Sequence, residues 1–310
     1  MTKLELSSIG HRNATLGCIE GLESEFSGEY SCDLFRRMCV SQSFERRVQK
    51  EVDAGHITCL VYLSLGQESI SAGISAAMSD IKPWVLAQHR AHATYLSFGG
   101  APEALIDELL GLPSGCGGGM AGSPPIHDID NRIIGHVGLI GDQVPVAAGV
   151  ALTNPGDQII CFFGDGAAEE DYVLAALGFA ASRRLNILFV CEDNDLSVLT
   201  PTKARRNWQI TDVAGSFGLD TIEITDDPWL TAHWAGRLKG RPALMNIKTC
   251  RDTWHVGTGN DGPPEWDRFQ LTKDVMVKIG LSAEAQQIED DARVKTEKLW
   301  ARRLQIQSAS

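Results

Sequence analysis

Two apolar runs, 159–163 and 187–190, flank a proline-free stretch of helical length, 172–181. Such near-continuous apolar runs predict strands covered on both faces, as in a parallel sheet. Further strands are predicted at 84–87, 221–224 and 243–248, the last two separated by a short helix. Helical spacing marks 33–54, with Leu34, Met38, Phe44 and Val48 near one face, and the small-residue segment 69–78. It also marks 101–110, where Pro102 sits in the first turn, and the Ala/Val segment 143–152. A last helix is predicted at 282–303, capped by Ser282 and turning Ile288, Ala292 and Leu299 inward. Gly, Ser and Pro make 112–125 a loop, and 256–266 reads as a mobile one. Alternating strands and helices define an α/β fold, a parallel sheet flanked by helices. Residues 1–30 read as a polar arm reaching over a partner subunit, 31–272 as the α/β domain, and 273–310 as a helical tail on that domain.

Composition narrows the function. Hydrophobic residues are 43% of the 310, enough for a large core. Asp and Glu number 40 against 28 Lys and Arg, a net charge of −12, which argues against nucleic acid as the main partner. No apolar run approaches a membrane span, and the first thirteen residues resemble neither a signal nor a transit peptide, so a cytoplasmic location is expected. The eight cysteines form no Cys-x-x-Cys, and Cys161 and Cys191 read as small buried hydrophobes. Phosphate-loop, zinc-helix and nucleophile-elbow motifs are absent from the sequence.

The chemistry concentrates at two predicted strand ends. Gly164-Asp165-Gly166 closes the first apolar run, and Asn194 follows the second. Asp165 and Asn194 are about thirty residues apart, one βαβ step. A carboxylate and an amide oxygen are thereby delivered to neighbouring strand tips, oxygen ligands suited to a hard divalent cation that keeps positions for phosphate and water.

This spacing resembles the thiamin diphosphate fingerprint. Across 33–254 the chain is similar to the alpha subunit of the decarboxylating component of 2-oxo acid dehydrogenases of pyruvate, branched-chain and acetoin types. The resemblance runs in order through Ser43-Phe44-Glu45-Arg46-Arg47, Gly66-Gln67-Glu68, His89-Arg90-Ala91-His92, Gly138 to Pro145, the Gly-Asp-Gly turn, and Thr249-Cys250-Arg251 with His255. It implies the thiamin diphosphate-binding fold and a magnesium ion on Asp165, Asn194 and the Leu196 carbonyl. It implies that the cofactor meets His89, Arg90, Gly138, Ile140, Gly164, Gly166, Ala167, Arg251 and His255, with Arg90 gripping diphosphate. Gly166 and Ala167 would offer backbone N–H groups. His255 and His92 become candidate catalytic residues, His255 on a loop that closes over the cofactor; for His92 a satisfied structural histidine is the alternative.

Partners follow from the same resemblance: a beta subunit supplying the glutamate that activates the cofactor, in an α2β2 assembly, and a lipoyl acyltransferase or acyl carrier protein as acceptor. The substrate is then a 2-oxo acid. Two departures point elsewhere. Tyr62 and Pro125 stand where the family commonly has histidines, which raises a carboligase or two-carbon transferase acting on a ketose phosphate in specialised metabolism. His127 is a spatial substitute to look for. Asp193, Glu169 and Asp171 add acid around the phosphate site and raise a third reading, a cofactor-free partner subunit.

Overall fold

Why the sheet forms is plainest at its centre. Strand β1 is Trp84–Leu86, β2 Ile133–Ile134, β3 Ile159–Gly164 and β4 Ile187–Asp193. A short hairpin follows, β5 Leu196–Ser197 with β6 Thr200–Pro201, and then β7 Asp220–Thr225 and β8 Ala243–Lys248. The computed structural model describes residues 8–260 and 262–309. Its main sheet has six strands in the order β2-β1-β3-β4-β8-β7, all parallel. Alternate side chains of β3 enter two cores. Ile160 and Phe162 pack with the helices Gly28–Asp53, Glu68–Ala77 and Pro228–Leu238, while Ile159, Cys161 and Phe163 pack with Gln143–Thr153 and Asp171–Arg183. A continuous apolar strand is the sequence that two-sided burial demands.

The chain leaves β1 for β2 on one side and leaves β3 for β4 on the other. The direction of winding therefore reverses between β1 and β3, and the crevice beyond the C-terminal strand ends at such a point is where open α/β sheets bind ligands.

Two expectations are corrected. Within the arm, residues 8–25 form the helix Ser8–Ala14 and the turn Leu22–Glu25 and cover this chain's own sheet edge. Thr225 N–H donates to the Leu16 carbonyl (2.9 Å), the Arg268 guanidinium donates to the Ala14 carbonyl (2.7 Å), and Leu22 is buried. Covering β7 hides an edge that would otherwise pair with another chain. The first long helix starts earlier than its apolar face predicted, at Gly28, because Ser27 accepts the Tyr30 N–H (3.1 Å). The last helix, Ser282–Ala309, buries Trp300 in a third core with Phe44, Val48 and Leu105. No helix among the described residues is long and apolar enough to cross a membrane.

The Gly-rich loop folds around one carboxylate. Glu108 accepts N–H groups from Gly117 (2.6 Å), Gly119 (2.9 Å), Ala121 (2.7 Å) and Gly122 (3.0 Å). Burial raises its pKa, but these four donors outweigh it and hold the carboxyl below its ordinary value. A depressed acid contributes stability that is present above its unfolded pKa and lost as pH falls through the folded one. Glu108→Ala is therefore expected to open 115–122 to proteolysis at neutral pH, with wild type showing the same nicking only in acid. Equal resistance of both proteins at neutral pH would remove this role.

Candidate active site

At the winding reversal a 130 Å3 cavity is lined by residues at and just beyond the C-terminal ends of β1, β3 and β4. Gln88, His89 and Arg90 come from β1; Gly164, Asp165, Gly166 and Ala167 from β3; Glu192, Asn194, Leu196, Ser197 and Val198 from β4 and the hairpin. Ile140, Gly141, Gln143 and His136 close one side, and His255 another. The sheet thus brings together His89, Arg90, Ile140, Asp165, Asn194, Leu196 and His255, which the sequence scatters.

Close backbone approach explains the glycines. A Cβ on Gly166 would lie 2.7 Å from Ser197 Oγ, so only Gly lets the hairpin meet this turn. The hairpin carries strain, since Val198, a β-branched residue, has φ 55°. Arg251 holds it by donating to the Val198 carbonyl (2.8 Å). Arg251 is outside the residues that line the cleft and braces the hairpin that forms one wall of it. Gly138 (φ 115°) also lies outside the lining, beside Ile140, whose carbonyl accepts the Tyr172 hydroxyl (2.6 Å).

Oxygen donors for a cation are present. Asn194 is oriented by donating to Gln67 Oε1 (2.9 Å) and accepting Leu196 N–H (3.2 Å). The Asp165 carboxylate is ion-paired with Arg205, which also pairs with Glu169. Arg206 donates to the Asp165 carbonyl (2.6 Å) and to Glu169 (3.0 Å) while stacking on Trp208. Burial and the nearby Asp193 charge push Asp165 up to about 6, against the pull of both arginines. One carboxylate, one amide and one carbonyl fit a hard cation, with Arg205 holding the carboxylate meanwhile.

The acid expected to repel phosphate is ion-paired with Lys248. Asp193 Oδ2 accepts from Lys248 Nζ (2.5 Å) and Asn246 Nδ2 (3.0 Å), and its Oδ1 takes Asp195 N–H (3.0 Å). Glu169 faces the arginines, and Asp171 is exposed at a helix start.

His92 is corrected. It is wholly buried away from the cleft, with Nδ1 on Glu45 Oε2 (2.9 Å) and Nε2 on Ser123 Oγ (2.9 Å). Both ring nitrogens are used, so it is the satisfied structural histidine. Arg90 spends donors on the Leu63 carbonyl (2.9 Å) and the His255 carbonyl (2.9 Å), tying the 255 loop to β1. His89 sits edge-on to Tyr62 and near His255, 5.2 and 5.5 Å between ring centroids. Burial, then the Arg90 charge, holds its pKa well below the ordinary histidine value. His127 is exposed and outside the cleft.

Sequence reading missed several residues. His136 stands in the cleft two positions before the quoted Gly138, and Gln88 and Glu192 form a buried pair on its floor. Burial pushes Glu192 up to about 7 although Gln88 and Arg90 pull it down. The visible signal was position alone: each is next to, or nearly next to, a residue already singled out.

Fold and site define a protein of the α/β class with an oxygen-rich ligand cleft at parallel strand ends. The chain belongs to the dehydrogenase E1 component family, whose model matches residues 36–278. It is 29% identical over 236 residues to the pyruvate dehydrogenase E1 component subunit alpha of Zymomonas mobilis, covering 72% of this chain and 66% of that one. The corresponding subunit of Rickettsia prowazekii is 31% identical over 236 residues, 71% of each chain. The alpha subunit of acetoin:2,6-dichlorophenolindophenol oxidoreductase from Bacillus subtilis is 27% identical over 234 residues, 72% of this chain and 70% of that one. Among solved structures, transketolase from Campylobacter jejuni superposes with a TM-score of 0.55 at 15% identity, and that from Leishmania mexicana with 0.53 at 17%. These cover 88% and 92% of this chain, which spans about half the length of either transketolase (49% and 47%). At that identity the likeness shows the fold, and it agrees with the expected helix-flanked parallel sheet.

Proposed function

We propose that this chain is the alpha subunit of a thiamin diphosphate- and magnesium-dependent 2-oxo acid dehydrogenase, in keeping with what its curated relatives are named for. The observation that carries the reading is the convergence of Asp165, Asn194 and Leu196 in one cleft with Arg90, His89 and His255. Asp165, Asn194 and the Leu196 carbonyl would hold magnesium, and Gly166 and Ala167 would turn backbone N–H groups to the diphosphate. When bound, the cofactor supplies a carbon nucleophile and an electron sink. This chain's residues bind, orient and enclose: Arg90 keeps His255 over the cleft, and Arg251 keeps the hairpin in place.

A beta subunit completes the site in this reading. The cavity is below the ~300 Å3 at which small-molecule sites usually begin. Its rim exposes Val137, Leu139, Ile140 and Leu199, apolar side chains suited to a covering partner. That partner would supply the activating glutamate in an α2β2 assembly, with a lipoyl acyltransferase or an acyl carrier protein taking the product. A cytoplasmic site of action belongs to the same proposal; positions 30 and 272 both fall inside continuous helices, Gly28–Asp53 and Arg268–Lys278.

One observation favours the carboligase alternative: Tyr62 places a phenol, where the family commonly has imidazole, against His89 and His255. The test is dye reduction by the chain with its beta partner, thiamin diphosphate and magnesium. Pyruvate, a branched 2-oxo acid or acetoin should reduce 2,6-dichlorophenolindophenol. Consumption of ketose phosphates alone would replace the dehydrogenase by the carboligase, and failure to retain cofactor would leave only a cofactor-free partner role.

A further inference from the structure

His136 is 3% exposed, lines the cleft, and its Nε2 has no hydrogen-bond partner among the described residues. Its other nitrogen is committed. Gly138 N–H donates to Nδ1 at 3.0 Å, so Nδ1 presents a lone pair and the ring proton resides on Nε2. Burial holds the pKa of this imidazole below its ordinary value, against the pull of Asp142 and of a backbone hydrogen bond at Leu139. The placement is enforced from behind. A Cβ on Gly135 would lie 2.4 Å from the Ile126 carbonyl oxygen, so the chain is pressed there and His136 is turned inward.

Two amides also line the cleft. Gln143 donates its Nε2 to the Phe162 carbonyl (2.6 Å), and Gln88 donates its Nε2 to Glu192. Their amide oxygens are buried and without partners. The cleft lining thus includes an unpaired imidazole N–H and two unpaired amide oxygens. A carbonyl oxygen accepts from Nε2–H, and a hydroxyl oxygen accepts from it while donating to an amide oxygen. Leaving such buried groups unpaired costs more than pairing them gains, so the cleft selects a ligand that satisfies them.

We propose that His136 is a substrate-binding residue whose Nε2–H donates to the carbonyl oxygen of the substrate. This rests on the reading of the cleft as a thiamin diphosphate site but assigns a residue outside that reading.

The test compares His136→Phe and His136→Gln with wild type in the complete enzyme with its beta partner. Gln places an N–H donor near the Nε2 position, whereas Phe keeps the ring shape and removes the donor. Thiamin diphosphate affinity, read by titration with magnesium, should stay within about twofold in both. KM for the 2-oxo acid that wild type turns over should rise about tenfold in Phe, the worth of one hydrogen bond, and recover in Gln. If wild type consumes only ketose phosphates, the dehydrogenase reading fails and the same KM comparison on the ketose phosphate decides His136. If wild type retains no cofactor, the substrate assignment falls with the site. Cofactor affinity falling in parallel would assign His136 to the cofactor and overturn the proposal, as would a Phe variant with unchanged KM. A variant that fails to fold shows itself by lost helical circular dichroism; His136→Leu then replaces Phe in the same comparison and is read by the same two outcomes.

Discussion

Asp165→Ala is expected to abolish magnesium-dependent retention of thiamin diphosphate. Altering residues that merely support a metal ligand costs ~10–100-fold in metal affinity, and loss of the carboxylate itself should exceed that. Among the described residues, the carboxylates in and near the cleft are already engaged. Glu169 is held by Arg205 and Arg206, Asp193 by Lys248, and Glu192 by Gln88. Arg205 supplies the internal control. Its guanidinium occupies Asp165 where the ion would bind, so Arg205→Met should tighten magnesium while Asp165→Ala eliminates it. Calorimetric titration of the complete enzyme reads both. Retention of cofactor by the Asp165 variant within twofold of wild type would remove the metal assignment.

Glu45→Ala is expected to lower the unfolding free energy by about 3 kcal/mol or more. Glu45 is fully buried and feeds two partners, the Ser64 N–H (2.6 Å) and His92 Nδ1 (2.9 Å). His92 passes the connection to Ser123, whose hydroxyl also accepts Tyr62 N–H (3.2 Å), and Ser64 Oγ donates to the Arg90 carbonyl (3.1 Å). Removing the carboxylate leaves buried donors unmet and loosens the segments that carry Tyr62 and Arg90 onto the cleft. Urea unfolding of the variant, with cofactor titration beside it, should show both losses. A midpoint indistinguishable from wild type would mean the connection contributes nothing to stability.

The difference between these residues shows what pattern alone conveys. Asp165 was legible because a glycine turn after an apolar run has one geometric meaning in a parallel sheet. Leu196 and Ile140 were legible only through resemblance, and the structure puts both in the cleft. His92 belonged to a quoted motif as much as Arg90 did. Its neighbours in sequence give no sign that Glu45, 47 residues away, and Ser123, 31 away, would take both its nitrogens. Asp193 looked disruptive for the same reason, since Lys248 lies 55 residues on and meets it only because β4 and β8 are adjacent in register.

The amino-acid sequence by itself determined the parallel sheet, the helices on its two faces and the strand ends at which ligands gather. Local spacing and two-sided burial allow few other arrangements. Tertiary structure alone decided which polar groups are spent on one another and which face the cleft. That choice turned His92 inward, paired Asp193 with Lys248 and left His136 Nε2 without a hydrogen-bond partner among the described residues. Partnering between buried polar groups depends on distances set across the fold, and no window of sequence contains them.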